Sequence, residues 1–173
     1  MTFMRKNFVH YLPYCGVMTA ATFIFTMINI TIPLGSRWLV HLGAAMAVAI
    51  VFILPPLYAS ISVALGMALY DLLGGWAIWS PFTLVIRFSQ VLVLSIFITK
   101  EKHRTINAII GFLLAALIDV GGYYLAEVII YGNWIAALEV IPAEIILNIV
   151  GIAVGLPAGL LFKRIRLNKE LNK

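Results

Sequence analysis

The chain reads as a succession of apolar runs, broken by short segments in which most of its charge collects. Charged residues make up 11% of it and hydrophobic ones 63%, whereas a soluble domain carries roughly 25% charged residues. Too little polar surface exists to cover a fold in water. That excludes a soluble globular enzyme, a disordered tail and a nucleic-acid module, and it leaves the bilayer as the solvent. A spanning helix takes about 20 apolar residues, so 173 residues hold about six spans with their loops. The expected fold is an all-α integral membrane protein of six transmembrane helices forming one domain, 1–173.

Proline and glycine place the spans at about 8–30, 39–54, 57–73, 81–99, 106–130 and 140–162. Pro33, Gly35 and Ser36 separate the first two, the Pro55, Pro56 pair closes the second, and Gly74 and Gly75 end the third. Pro81 suits the first turn of the fourth. The first run follows Arg5 and Lys6 as in a signal peptide, yet it continues to Ile30 without a small-residue cleavage site and is read as a retained span. Of twelve Lys and Arg, ten then fall on one side, Arg37 lies in a loop on the other, and Arg87 lies within helix 4. The positive-inside rule puts both termini in the cytoplasm. The single cysteine, Cys15, permits neither an internal disulfide nor a CxxC site.

An ionisable residue inside a span costs several kcal/mol unless it faces a protein interior or a watery cavity. Arg87, Asp119, Glu127 and Glu144 are such residues, and Asp71 stands near the end of helix 3. Side chains three or four apart share a helix face. Helix 4 therefore aligns Thr83, Arg87 and Gln90; helix 5 aligns Asp119, Tyr123 and Glu127; helix 6 aligns Glu144 and Asn148 with Gly151 and Gly155. Three consecutive helices with a polar outer half describe an outward-facing cavity for a small polar ligand. A purely structural ion pair would leave three acids competing for one guanidinium, while Asp71 reads as structural, answering a loop donor or Arg87.

Catalysis finds no constellation here. GxSxG, HExxH and GxxxxGK[ST] are all missing from the sequence, and His10, His41 and His103 are too scattered for one metal site. Asp71 and Asp119 lack the flanking motif of an aspartyl membrane protease. The reading is of a non-enzyme with no cofactor and no metal. Trp38, Trp76, Trp79 and Trp134 all fall on the outer side, and Gly16 with Ala20 and Ala21 gives helix 1 a small-residue packing face.

The middle of the chain carries a resemblance. His41-Leu42-Gly43, then Gly66 to Asp71 with Leu72, Leu73 and Gly74, then Trp79-Ser80-Pro81-Phe82-Thr83-Leu84-Val85-Ile86-Arg87, resembles the S components of energy-coupling factor (ECF) vitamin transporters. The likeness is to the hydroxymethylpyrimidine and pyridoxine-type subgroup, often described as riboflavin-type. Two positions depart from that pattern: Ala44 stands where H-L-G is usually followed by Asp, and Arg87 where Lys is usual.

The resemblance implies a substrate-binding subunit of the bacterial-type cell membrane, without transport energy of its own. It implies docking on a transmembrane T component driven by two cytoplasmic ATPases, and the helix 1 docking motif maps onto Gly16 and Ala20, with Ala21 beside them. The missing ATP-binding motif is then expected. It also implies a ligand under the loop after helix 1, between the outer halves of helices 4 to 6, with His41 and Trp79 joining the binding set. Trp38, Tyr123 and Trp134 are assigned to covering an aromatic ring, and Asp119, Glu127, Glu144 and Asn148 to its hydroxyl, amine or ring nitrogen. Arg87 is assigned to an acidic or phenolate-like oxygen. A B6 vitamer such as pyridoxine or pyridoxal, or hydroxymethylpyrimidine, suits this mixture. The alternatives are a riboflavin-specific S component, a self-sufficient permease with Asp119 or Glu127 coupling protons, and, third, a membrane enzyme.

Overall fold

A computed structural model describes the backbone of residues 2–32, 38–99 and 104–171, and the side chains of 11–30, 39–99 and 105–165. Its order is α1 (Thr2–Met27), β1 (Asn29–Ile32), β2 (Trp38–His41), α2 (Gly43–Ile50), α3 (Pro56–Leu73), α4 (Ser80–Thr99), α5 (Arg104–Tyr131), a 3-10 turn (Ala136–Glu139) and α6 (Val140–Leu171).

The first two helices differ from the sequence expectation. α1 stops at Met27 instead of Ile30, because the Asn29 amide donates to the Thr26 and Met27 carbonyls and to the Tyr70 hydroxyl at 2.8 Å, capping the helix and tying it to α3. The Asn-Ile-Thr-Ile and Trp-Leu-Val-His segments, rich in β-branched residues, then pair antiparallel, with Asn29 opposite His41 and Ile32 opposite Trp38. The expected helix over 39–54 is therefore a strand followed by an eight-residue α2. At 1.5 Å per residue α2 rises about 12 Å, well short of a hydrocarbon core of about 30 Å.

Among the described residues four helices are long and apolar enough to cross a membrane, namely Pro56–Leu73, Ser80–Thr99, Thr105–Tyr131 and Ala136–Ile165, and Tyr11–Met27 is a shorter apolar stretch of α1. α3 packs on α1 and α4, α5 on α4 and α6, and α2 on α6. Polarity runs opposite to that of a water-soluble bundle. Thr22, Ser60, Ser62, Gln90 and Asp119 are buried, while Leu113, Leu117 and Ile129 are about two-thirds exposed around the outside, as lipid contact favours.

The contact between α2 and α6 is glycine-built. A Cβ at Gly151 would stand 3.0 Å from the Ala44 carbonyl oxygen, one at Gly155 would collide with the Ala45 carbonyl oxygen, and one at Gly159 would collide with the Phe52 ring. Glycine at every fourth position thus lets the small-residue helix Gly43-Ala44-Ala45 lie directly on the α6 backbone. Because β2 runs straight into α2, this contact also sets the height of the hairpin.

Candidate functional site

The polar stripes of α4, α5 and α6 converge. Arg87, 2% exposed, places Nη1 2.6 Å from Asp119 Oδ1 and Nη2 3.4 Å from Glu144 Oε2, and Nη1 also donates to Gln90 Oε1 at 2.9 Å. Gln90 Nε2 donates to Asn148 Oδ1 at 3.2 Å, and Asn148 Nδ2 donates to Asp119 Oδ2 at 2.7 Å. Arg87, Gln90, Asn148 and Asp119 therefore close a ring across three helices. Such a ring is stable in a low-dielectric interior because each member satisfies another. Close approach is again a matter of glycine: a Cβ at Gly122 of α5 would stand 2.8 Å from Ile86, next to Arg87 on α4.

Above this ring, at the hairpin end of the bundle, lies a cavity of about 160 Å³. Leu39 and His41 of β2 line it, with Asp71 of α3, Thr83 and Arg87 of α4, Tyr123 and Glu127 of α5, and Val140, Ala143, Glu144 and Leu147 of α6. Trp76, Trp79 and Glu139 complete the wall. Trp79 is buried, its ring 6.3 Å from those of Tyr123 and Tyr131, and the Arg87 guanidinium lies over the Tyr123 ring at 4.9 Å. Thr83 Oγ1 and the Tyr123 hydroxyl share a hydrogen bond of 3.0 Å. The turn carrying Trp76 depends on Gly75, whose φ of +90° a side-chain-bearing residue rarely adopts. The Trp76 amide donates to the Asp71 carbonyl at 2.9 Å, and Ser80 Oγ donates to the Ala68 carbonyl at 2.8 Å, which fixes α4 against the end of α3.

The structure thus brings His41, Trp79, Arg87, Tyr123, Glu127 and Glu144 to one cavity. Asp119 and Asn148 stand behind Arg87 and hold it, instead of lining the space themselves. Trp134 is 62% exposed and outside the wall, its ring 6.2 Å from that of Tyr124, because the loop after α5 turns it away from α4. Trp38 begins β2, and its side chain lies outside the described residues. Trp76 and Glu139 were not among the expected binding residues, and Asp71, expected to be structural, lines the cavity. No group of three metal-binding side chains occurs among the described residues. On α1, Gly16 and Ala20 are exposed, Ala21 is half-buried, and a Cβ at Gly16 would meet nothing within 4 Å.

His41 stays neutral in this setting. Burial, reinforced by the nearby Arg87 charge, pushes its imidazole down to about 3. An unfolded histidine binds its proton near pH 6.5. Above that pH both states carry the same protons; below it the unfolded chain binds one more, so the folded state loses up to ~1.4 kcal/mol per pH unit until His41 itself protonates. Thermal melts in detergent near pH 7 and pH 5 should show a smaller acid loss for His41→Gln than for the wild type. Equal losses would assign the acid sensitivity elsewhere.

A family model described as ECF-type riboflavin transporter, S component, matches residues 6–164. A solved structure, described as the S component of a bacterial ECF transporter, is 20% identical and superposes with a TM-score of 0.69 over 95% of this chain and 98% of that one. At that identity the likeness is one of fold. No curated protein matches the chain.

Proposed function

Since the chain belongs to the family of ECF-type riboflavin transporter S components, we propose that the cavity is its vitamin site and that the substrate is a single-ring heteroaromatic vitamin, a B6 vitamer or hydroxymethylpyrimidine. The family and the long apolar helices make the chain a multi-pass protein of the cell membrane and a substrate-binding transporter subunit. Membership implies association with a T component and ATPase subunits. Both termini are taken as cytoplasmic, with the second pass made by α2 and the turns to Leu54. In support, ten of twelve Lys and Arg lie before residue 7, between α4 and the start of α5, or near the end of α6, and the cavity belongs to the other ends of those helices. The exposed Gly16 and Ala20 face supports docking of the T component on α1.

The observation that carries the substrate is the cavity volume. About 160 Å³ is close to the ~150 Å³ of a cavity that holds one benzene molecule. A pyridine or pyrimidine with short polar arms fits that scale, and a three-ring flavin with its polyol chain is far larger. Polar side chains and the aromatic rings of Trp76, Trp79 and Tyr123 share the lining, a mixture that matches such a ring. The family description favours the second reading, riboflavin.

Tryptophan fluorescence separates these readings, because Trp76 and Trp79 line the cavity. Purified protein titrated with pyridoxine, pyridoxal, hydroxymethylpyrimidine, thiamine and riboflavin should show saturable quenching by one of the first three, lost in Glu144→Gln. Saturation by riboflavin alone would establish the second reading. Flat titrations with folded protein would sink the vitamin assignment and bring forward a self-sufficient permease, for which reconstituted chain alone should transport.

A further inference from the structure

We infer that the side of the Arg87 ring turned away from the larger cavity binds one water molecule, which joins the ring as a further member. A second cavity, of about 20 Å³, lies there between α2, α4, α5 and α6. Arg87 lines both cavities, and the remaining walls of the smaller one stand further from the hairpin: Gln90 and Leu94 on α4, Ala115 on α5, Asn148 and Ile152 on α6. The ring is thus a partition, with the larger cavity on one face and the smaller on the other. A buried water takes about 10–15 Å³ of such space and about two to four polar partners. The smaller cavity has room for one molecule, and three of its lining side chains, Arg87, Gln90 and Asn148, are members of the ring.

The partners follow from what the ring leaves unused. Among the described residues Gln90 Oε1 accepts one bond, from Arg87, and Gln90 Nε2 donates one, to Asn148 Oδ1. An amide oxygen can accept two bonds and an amide nitrogen can donate two, so Gln90 keeps one of each. Asn148 gives its amide hydrogens to Asp119 Oδ2 and the Glu144 carbonyl, while its Oδ1 receives the single bond from Gln90 and keeps a lone pair. Gln90 is 7% exposed in the middle of a spanning helix, where bulk water does not meet the need. The occupant must therefore be as small as one heavy atom and both donate and accept. A bare cation would stand against the Arg87 guanidinium, and an anion against Asp119, which Arg87 and Asn148 both contact. Water is neutral and has both functions. Bridging Gln90 to Asn148 a second time, it braces the two side chains that hold Arg87 and Asp119 in place.

Two measurements on the purified full chain test this. A crystal structure that shows ordered waters elsewhere in the protein should show one here, within hydrogen-bonding distance of Gln90 and Asn148; no density at that place would overturn the inference. The second measurement fills the space. Ala115 is 3% exposed on the cavity wall, one turn from Asp119 on the same face of α5, so a larger side chain there enters the cavity. Valine and threonine have the same shape, and crowding lowers the thermal midpoint of both variants alike. Valine displaces the water and returns no polar atom, whereas the threonine hydroxyl stands in for it. Ala115→Thr should therefore melt about 5 °C above Ala115→Val, the shift expected in a chain of this size when a buried polar group regains its partner. In a dry apolar cavity the order reverses, because a hydroxyl is then buried at a cost. Ala115→Val melting with or above Ala115→Thr would thus overturn the water site, and it would leave the larger cavity's reading untouched.

Discussion

Arg87→Met is expected to lower the thermal midpoint of the purified protein by about 10 °C, and the added change Asp119→Asn to recover most of that loss without restoring ligand binding. The Arg87 side chain is 3% exposed and Asp119 fully buried, with Glu144 at 13% side-chain exposure. Removing the cation leaves a carboxylate with no counter-charge in a low-dielectric interior, a loss of about 3–5 kcal/mol. For a chain of this size that corresponds to roughly 2–4 °C per kcal/mol. The asparagine introduced by Asp119→Asn keeps a hydrogen-bond acceptor for Asn148 Nδ2 while removing the charge, and a methionine fills much of the arginine stem's volume. Arg87 also lines the cavity, so the repaired bundle still lacks the cationic side chain of the proposed site. A single variant that melts with the wild type would show that the ring does not hold the helices together. A double variant that binds vitamin normally would remove Arg87 from the site.

The polar ring was legible in the sequence for a physical reason. An ionisable side chain in hydrocarbon must find a partner, so Arg87, Asp119 and Glu144 on three neighbouring helices had few places to go other than each other. What spacing does not encode is depth. Asp119 and Glu127 share one stripe two turns apart, yet Glu127 reaches the cavity and Asp119 stops behind Arg87. Residues on turns were harder still, since no period fixes their direction. Trp76 reaches the wall because Gly75 takes a positive φ, Glu139 because a 3-10 turn precedes α6, and Trp134, of the same residue type as Trp76, turns outward. The run 39–54 shows a different limit. A short apolar stretch suits a strand and a buried helix equally, and what decided it was tertiary: pairing with Asn29–Ile32 and the glycine face of α6.

That glycine face leads to the second large effect, Gly155→Leu. Even the first carbon of a side chain at Gly155 would overlap the Ala45 carbonyl oxygen and lie 2.8 Å from Val48 Cβ, and backbone cannot yield as a flexible side chain can. α2 has to move away from α6, and β2, which supplies Leu39 and His41 to the cavity, moves with it. Overpacking of this kind costs about 1–3 kcal/mol even where neighbours adjust, and the leucine branch adds to it. Gly155→Leu should therefore lower both the thermal midpoint and vitamin affinity, the latter by tenfold or more, although residue 155 is outside the cavity lining. Gly159→Ala should be milder, because the atoms in its way belong chiefly to the Phe52 ring, which can rotate. Gly16→Ala, with open space around it and a better helix former in place, should leave stability unchanged or slightly raised. Comparable melts for Gly155→Leu and Gly16→Ala would mean that α2 is not seated on α6 by contact with glycine. A destabilised Gly155→Leu that retained full affinity would separate the hairpin from the ligand and assign binding to α4, α5 and α6 alone.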